Sequence, residues 1–396
     1  MRPLASRPVL AALVAALVAR TAINGGFRVV YPFLPEIARG LGVSLTVMGL
    51  LLALRALVGL GAPLVPRLIE RIGHRRTMLL ALAVLLLGGA LMLLAGGLEG
   101  EGVVSPPFVL VAASMVLISA AKPLYDLPMQ GWFGARVDRS RQGRVLGATE
   151  LTWGLGLVLA FPAGLLVARV DWPAMLWPAL LLGVAGVVAV ATLLPGDAPR
   201  APSRAAGPGL AEVLRRPLVA LVLVVSLFRF AAELLFVVYG QWLEVDFGLA
   251  VAAIGAFTLV VVAAELAGEG AVTAFADRLG LRRSVLLGLL GSAVAYVGLG
   301  LVGDSLVGAI IAVVGWFLMF EATITAAIPL AVAIGGDVRE RLLSLVAAVG
   351  VLSTVVAAPL GPVLFALGGI ALCGLVAAAS VLLAAAILAR EVPAAA

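Results

Sequence analysis

The chain has 396 residues, 63% of them hydrophobic and 12% charged, with a mean hydropathy of +1.20 and a formal net charge of +6. An ordinary soluble domain carries roughly 25% charged residues, so these values exclude a water-soluble fold and place the chain in a bilayer. The single cysteine and single histidine exclude a disulfide framework within the chain and a multi-histidine metal site, and the one lysine, between Ala121 and Pro123, excludes a Gly-Lys-Ser/Thr phosphate loop.

A membrane-spanning helix needs about 20 mainly apolar residues. Twelve such runs follow one another, near 9–33, 45–66, 77–97, 106–134, 145–168, 173–194, 218–240, 250–275, 284–302, 305–334, 342–366 and 368–389. They are continuous and rich in Leu and Ala, which points to helices; strands of a barrel would alternate in short segments. The start, MRPLASRPVLAALVAALVAR, has a basic end and an apolar run, but no small-residue cleavage site follows. It is therefore expected to persist as the first span. With both termini on the cytoplasmic side, twenty loop arginines lie inside and only Arg39 and Arg169 outside. That asymmetry assigns the positive charge to membrane topology and not to nucleic acid. His74 is expected to face the headgroups from a loop, and Cys373 to serve as a small packing residue.

Ionisable residues inside the spans come in a definite order. Arg20 and Arg28 lie in the first, Arg55 in the second, Lys122 and Asp126 in the fourth and Glu150 in the fifth; Arg229 and Glu233 follow in the seventh, Glu265 and Glu269 in the eighth and Glu321 in the tenth. Each charge at a helix centre costs about 2.5–3.5 kcal/mol on insertion scales, so such residues face the bundle interior and mark function. Lys122 and Asp126, like Arg229 and Glu233, are four apart and share a helix face. Either pair can neutralise itself as structural glue. Alternatively, Lys122 is a binding or switching cation that exchanges partners. Glu265 and Glu269 are like charges four apart, suited to a coupled proton carrier or compensated by a basic residue. Glu321 is flanked by Trp316 and Phe320, which form either a site for a cationic or aromatic substrate or core packing. Intramembrane charge is mainly basic in the first six spans and mainly acidic in the last six.

Internal repetition sets the architecture. The loop after the second span reads ERIGHRR, residues 70–76, and that after the eighth reads DRLGLRR, residues 277–283; VDRSRQGRVLG and GDVRERLLS, after the fourth and tenth, correspond loosely. Between the two sets lies a Pro, Gly, Ala and Arg-rich stretch that reads as a linker. The domains are therefore a six-helix half at 1–194, a cytoplasmic linker at 195–216 and a second half at 217–396, in parallel arrangement.

At these residues the chain resembles the major facilitator superfamily. That family's loop after the second helix typically reads G-x-x-x-D-R-x-G-R-R. Here Pro66 and Glu70 stand for its first glycine and aspartate, followed by Arg71, Gly73, Arg75 and Arg76. YPFLPEIARGLGVS, residues 31–44, is similar to the same region of the drug:proton antiporter-1 and arabinose-efflux-like group. RQGRVLG looks like the family's R-x-G-R-x-x-G. The resemblance implies an all-α membrane fold of twelve transmembrane helices in two pseudo-symmetric halves. It also implies gating roles for Glu70, Arg71, Gly73, Arg75, Arg76, Asp138, Arg144, Asp277, Arg278 and Gly280.

The expected function is secondary active transport, proton-coupled efflux of a small organic molecule by alternating access. Glu233, Glu265, Glu269 and Glu321 are the proton-carrier candidates, and Arg20, Arg28, Arg55, Lys122, Asp126, Glu150 and Arg229 shape the site. The runner-up is uptake or facilitated diffusion of a zwitterionic or anionic metabolite without protons; from another class, a transport-dead receptor or scaffold would tolerate loss of these charges. Enzyme is the weaker class, and no cofactor or metal is called for. The expected partners are substrate, protons and lipid, without nucleic acid, for a monomer in a bacterial-type inner membrane.

Overall fold

The computed structural model describes residues 6–196, 215–303 and 305–393, with the side chains of 6–8, 139, 140, 143, 272–278 and 340 outside that description. Most of the expected linker, residues 197–214, lies outside the described residues. Every regular element among the described residues is helical. Hydrocarbon offers the backbone no hydrogen-bond partners, and a helix satisfies its own groups within one segment.

Among the described residues, eleven helices have spanning length and composition, and the last of them, Arg341–Glu391, holds two spans. Non-helical backbone at Gly368 (φ −156°, ψ 23°) and Gly369 (φ 62°, ψ −162°) divides it, at the boundary expected between 366 and 368. Twelve spans result. Three expected boundaries shift by five residues or more, the seventh span running on from 240 to Phe247. The first span ends at Arg28 and is followed by a short helix, Leu34–Gly40, started by Pro35. The second continues past 66, through a 3-10 segment at Val58–Leu64 containing Pro63, to Ile72. The proline ring tightens the turn without ending the helix.

The chain divides into two compact units. One comprises Met1–Ser44, Leu54–Ser203 and Ala250–Leu259, and the other Leu45–Ala53, Arg204–Leu249 and Val260–Ala396. In the first unit, the first span packs on the fifth through glycine. A Cβ on Gly156 would lie 2.8 Å from the carbonyl carbon of Asn24 and from the nitrogen of Gly25. Small residues at membrane helix crossings allow such approach. In the second unit the seventh span, Arg216–Phe247, is the most heavily buried, and Gly361 of the eleventh packs on the carbonyl of Leu234. Cys373 is buried, its thiol directed 3.6 Å from the carbonyl oxygen of Gly361, as a packing residue would be.

The repeated loops fold alike. Gly73 (φ 87°, ψ 164°) precedes the third span and Gly280 (φ 80°, ψ 143°) precedes the ninth. Two residues on, Arg75 donates to the carbonyl of Ala191 at the end of the sixth span, and Arg282 donates to that of Ala389 at the end of the twelfth, 2.8 Å away. Each guanidinium thus satisfies a helix C-terminal carbonyl and meets the negative end of its dipole. Ser105 and Ser305 cap the fourth and tenth spans by accepting from the backbone N–H of Phe108 and Gly308. His74 departs from expectation. It is the first residue of the third span's helix and is 8% exposed, facing Gly131, where a Cβ would lie 2.8 Å from Nε2. The absence of a side chain at Gly131 makes room for the ring.

Backbone near φ 87°, ψ 164° is open almost only to glycine and costs other residues about 1–3 kcal/mol. Gly73→Ala and Gly280→Ala are each expected to lower the thermal midpoint of the detergent-solubilised protein. Gly134→Ala, on exposed helix with open space around the added methyl, is expected to leave it unchanged.

Candidate functional site

The first unit contains a buried polar network on the first, second, fourth and fifth spans. The first span presents Arg20, Asn24 and Arg28 at intervals of four, one stripe along its face. Arg20 is 4% exposed, and its Nε donates to Asp126 Oδ1 at 2.8 Å. Its two Nη atoms reach Glu150 at 3.0 and 3.2 Å, and Nη1 also donates to the carbonyl of Thr149. On the fourth span Lys122 Nζ donates to Asp126 Oδ2 at 2.9 Å and to Asn24 Oδ1 at 2.9 Å. Asn24 Nδ2 donates to Thr152 Oγ1 at 3.1 Å. Asp126 is therefore the hub, one oxygen on each cation. The charges of Arg20, Lys122, Asp126 and Glu150 cancel.

The fifth span yields to this network. Its helix is interrupted at Leu151, where the Thr149 carbonyl accepts from Arg20 and from Thr152 Oγ1 (2.6 Å). One turn on, the carbonyl of Trp153 accepts from Arg28 Nη1 at 2.8 Å. Side chains that enter a helical hydrogen-bond ladder bend or break it. The fourth span carries Pro123 and Pro128 on either side of Asp126, each removing one backbone donor from its own ladder.

Aromatic rings extend the network toward Arg55. The Arg28 guanidinium lies 4.4 Å from the centroid of Trp153, and Lys122 Nζ lies 5.1 Å from the same ring. Trp153 and Phe27 are 6.4 Å apart, and Arg55 sits 4.0 Å from Phe27 and 5.0 Å from Tyr31. Arg55 is 2% exposed. Ser119 Oγ donates to its backbone carbonyl at 2.9 Å, which ties the second span to the fourth. Its Nη2 has no hydrogen-bond partner among the described residues. A desolvated cation–π contact contributes about 2 kcal/mol, whereas taking an ion out of water costs several. The two rings alone do not offset that cost.

The second unit carries the acids. Glu233, Glu265 and Glu321 are 7%, 2% and 8% exposed, on the seventh, eighth and tenth spans. Gly268 backs directly onto Glu321, where a Cβ would lie 3.1 Å from that of the acid. Glu269 is only half-buried. An aromatic cluster joins the seventh span to the tenth: Phe236 stacks on Trp316 at 5.3 Å and on Phe317 at 5.5 Å, and Phe228 stacks on Phe320 at 5.1 Å. Trp316 is fully buried, the position of a core residue, while Phe320 stays half-exposed.

Several residues fall elsewhere than the spacing implied. Arg229 and Glu233 share a helix but differ in surroundings: Glu233 is buried, and Arg229 is exposed beside Gly350. Glu150 keeps half of its side chain exposed. Among the gating candidates, Glu70, Arg71, Arg76, Asp138 and Arg144 are exposed, and Arg75 ties the third span to the sixth. The side chains of Asp277 and Arg278 lie outside the described residues. Asn24, Phe27, Tyr31, Thr152 and Trp153, all neutral, are absent from any selection by charge. The four-residue stripe through Arg20 and Arg28 points to Asn24.

A family model of the Major Facilitator Superfamily matches residues 14–333, and the chain belongs to that family. It is an integral, multi-pass membrane transporter. Solved structures agree in fold. A bacterial homolog of the human lysosomal transporter Spinster, in an inward-facing and unoccupied conformation, is similar with a TM-score of 0.70 at 16% identity over 97% of each chain. A D-xylose-proton symporter is similar with a TM-score of 0.75 at 15% identity over 98% of each. A search of curated proteins finds no match.

Removing one partner of a buried ion pair costs about 3–5 kcal/mol. Asp126→Ala leaves two cations without their shared acceptor, while Lys122→Ala leaves Asp126 held by Arg20. In thermal unfolding of purified protein, Asp126→Ala is expected to lose the most, Lys122→Ala less, and the double variant to recover most of the Asp126→Ala loss. Equal losses in the two single variants would contradict the hub.

Proposed function

We propose that the chain is a proton-coupled secondary transporter that exports a small organic molecule by alternating access, with both termini cytoplasmic in a bacterial-type inner membrane and working as a monomer. The observation that carries this reading is the burial of Glu233, Glu265 and Glu321 on three different spans of one unit, while in the other unit the acids Asp126 and Glu150 are already paired with Arg20 and Lys122. A buried carboxyl can exist as an anion against a cation or as a neutral acid, and passing between the two moves one proton. Arginine cannot do this. Proton traffic therefore belongs to the acids, and substrate contact to the cation and aromatic surface of the first, second, fourth and fifth spans. The outward direction rests on the likeness of residues 31–44 to the drug:proton antiporter-1 group and on the arginine-rich loops that orient the chain.

The excess of cations in the first unit favours a second reading, facilitated passage of an anionic or zwitterionic metabolite without protons. Proteoliposomes with an imposed pH gradient and an internal pH dye separate the two, screened with amino acids, sugars, organic acids and hydrophobic cations. Antiport is expected to give substrate-triggered proton movement opposite to the substrate, abolished in Glu265→Gln. Substrate flux with a silent dye would leave the facilitator and reduce the glutamates to structure.

A further inference from the structure

The charge of the first unit does not close. Arg20 and Lys122 are answered by Asp126 and Glu150, and no carboxylate of the described residues answers Arg55 within ion-pair distance. Arg55 is 2% exposed, with Phe27 and Tyr31 4.0 and 5.0 Å from its Cζ and Nη2 without an acceptor. A guanidinium keeps its charge in any surroundings, so burial cannot neutralise it. Rings can cover its faces, but its N–H donors point outward in its own plane. What Arg55 lacks is an acceptor at that edge.

We propose that Arg55 is the anion-receiving group of the first unit and that the transported molecule carries a carboxylate. A carboxylate is planar, brings one negative charge to one guanidinium, and accepts two parallel N–H bonds in the geometry the fork presents. A phosphate dianion would bring more charge than Arg55 cancels. The rest of the molecule meets aromatic surface, since Phe27 continues into Trp153, 6.4 Å away, whose ring already carries Arg28 and Lys122. The inference rests on the reading that these spans contact the substrate, and it names the substrate's class.

The test is calorimetric titration of the full chain in nanodiscs with benzoate, phenylacetate and succinate, each against its amide. At least one carboxylate is expected to bind, its amide about tenfold more weakly or worse, the loss of a charge-assisted hydrogen bond. Arg55→Gln is expected to remove that preference, and Arg169→Gln, at an exposed position, to keep it. Where Arg55→Gln does not fold, Arg55→Lys decides: it keeps the charge without the fork, so weaker carboxylate binding with unchanged amide binding supports the assignment. Amides that bind as well as acids, a panel that does not bind, or an Arg55 variant with unchanged preference would each overturn it. Because binding is read apart from transport, carboxylate binding without substrate-linked proton movement would remove proton coupling and leave this assignment. Proton-linked transport confined to compounds without an anion would do the reverse.

Discussion

One carboxylate, Asp126, carries the organisation of the first unit. It accepts from Arg20 on one oxygen and from Lys122 on the other, and those cations stand on two spans of the bundle. Arg20 is 4% exposed, so little solvent is available to take over its bond to Asp126, and that bond helps fix the first span against the fourth. Apolar packing alone would not do this, because lipid tails contact Leu and Val as favourably as a neighbouring helix does. The lone lysine of the chain is placed by the same logic. Asn24 and Asp126 hold its ammonium, and the shorter reach of Lys relative to the Arg fork leaves room for Arg20 on the other carboxylate oxygen.

The network then extends from side chains into backbone. Arg20 and Arg28 take carbonyls one turn apart on the fifth span, Thr149 and Trp153, and the helix is interrupted between them at Leu151. The charge buried on the first span is thus accommodated by loosening the fifth, which Gly156 keeps close enough to be reached. The second unit solves a different problem. Its buried acids sit on three separate spans, and Gly268 makes room beside Glu321. The first unit thus pairs Asp126 with the cations Arg20 and Lys122, whereas the buried acids of the second are spread over three spans.

Much of this was legible in the sequence, within physical limits. Hydropathy located all twelve spans because bilayer thickness imposes a length, and even the two spans merged into Arg341–Glu391 were separable at Gly368 and Gly369. Spacing of four identified Lys122 with Asp126, since a helix face is a local property. The same rule gave Arg229 with Glu233, of which the first is exposed and the second buried; sharing a face allows a pair, but tertiary packing sets the surroundings of each member. Arg20 meeting Asp126 joins positions 106 residues apart, and no local pattern encodes that. Neutral partners were invisible for another reason. Asn24, Thr152 and Trp153 carry no cost large enough to stand out against an apolar background, although they complete the bonds that make the charges tolerable.

The two halves of the chain keep what the backbone requires and differ where the chemistry lies. Gly73 and Gly280 both take the positive-φ conformation before a span, Arg75 and Arg282 both close a helix C-terminus, and Ser105 and Ser305 both cap a helix start. None of these depends on a ligand; each satisfies a backbone group or permits a turn, and those demands are identical in both copies. The intramembrane charges do not repeat. The first half sets Arg20, Arg55 and Lys122 against the acids of the second, Glu233, Glu265 and Glu321. These charges diverge on a shared scaffold, and Arg55, enclosed by rings and with its Nη2 lacking an acceptor among the described residues, is the point where helix packing alone does not account for the side chain.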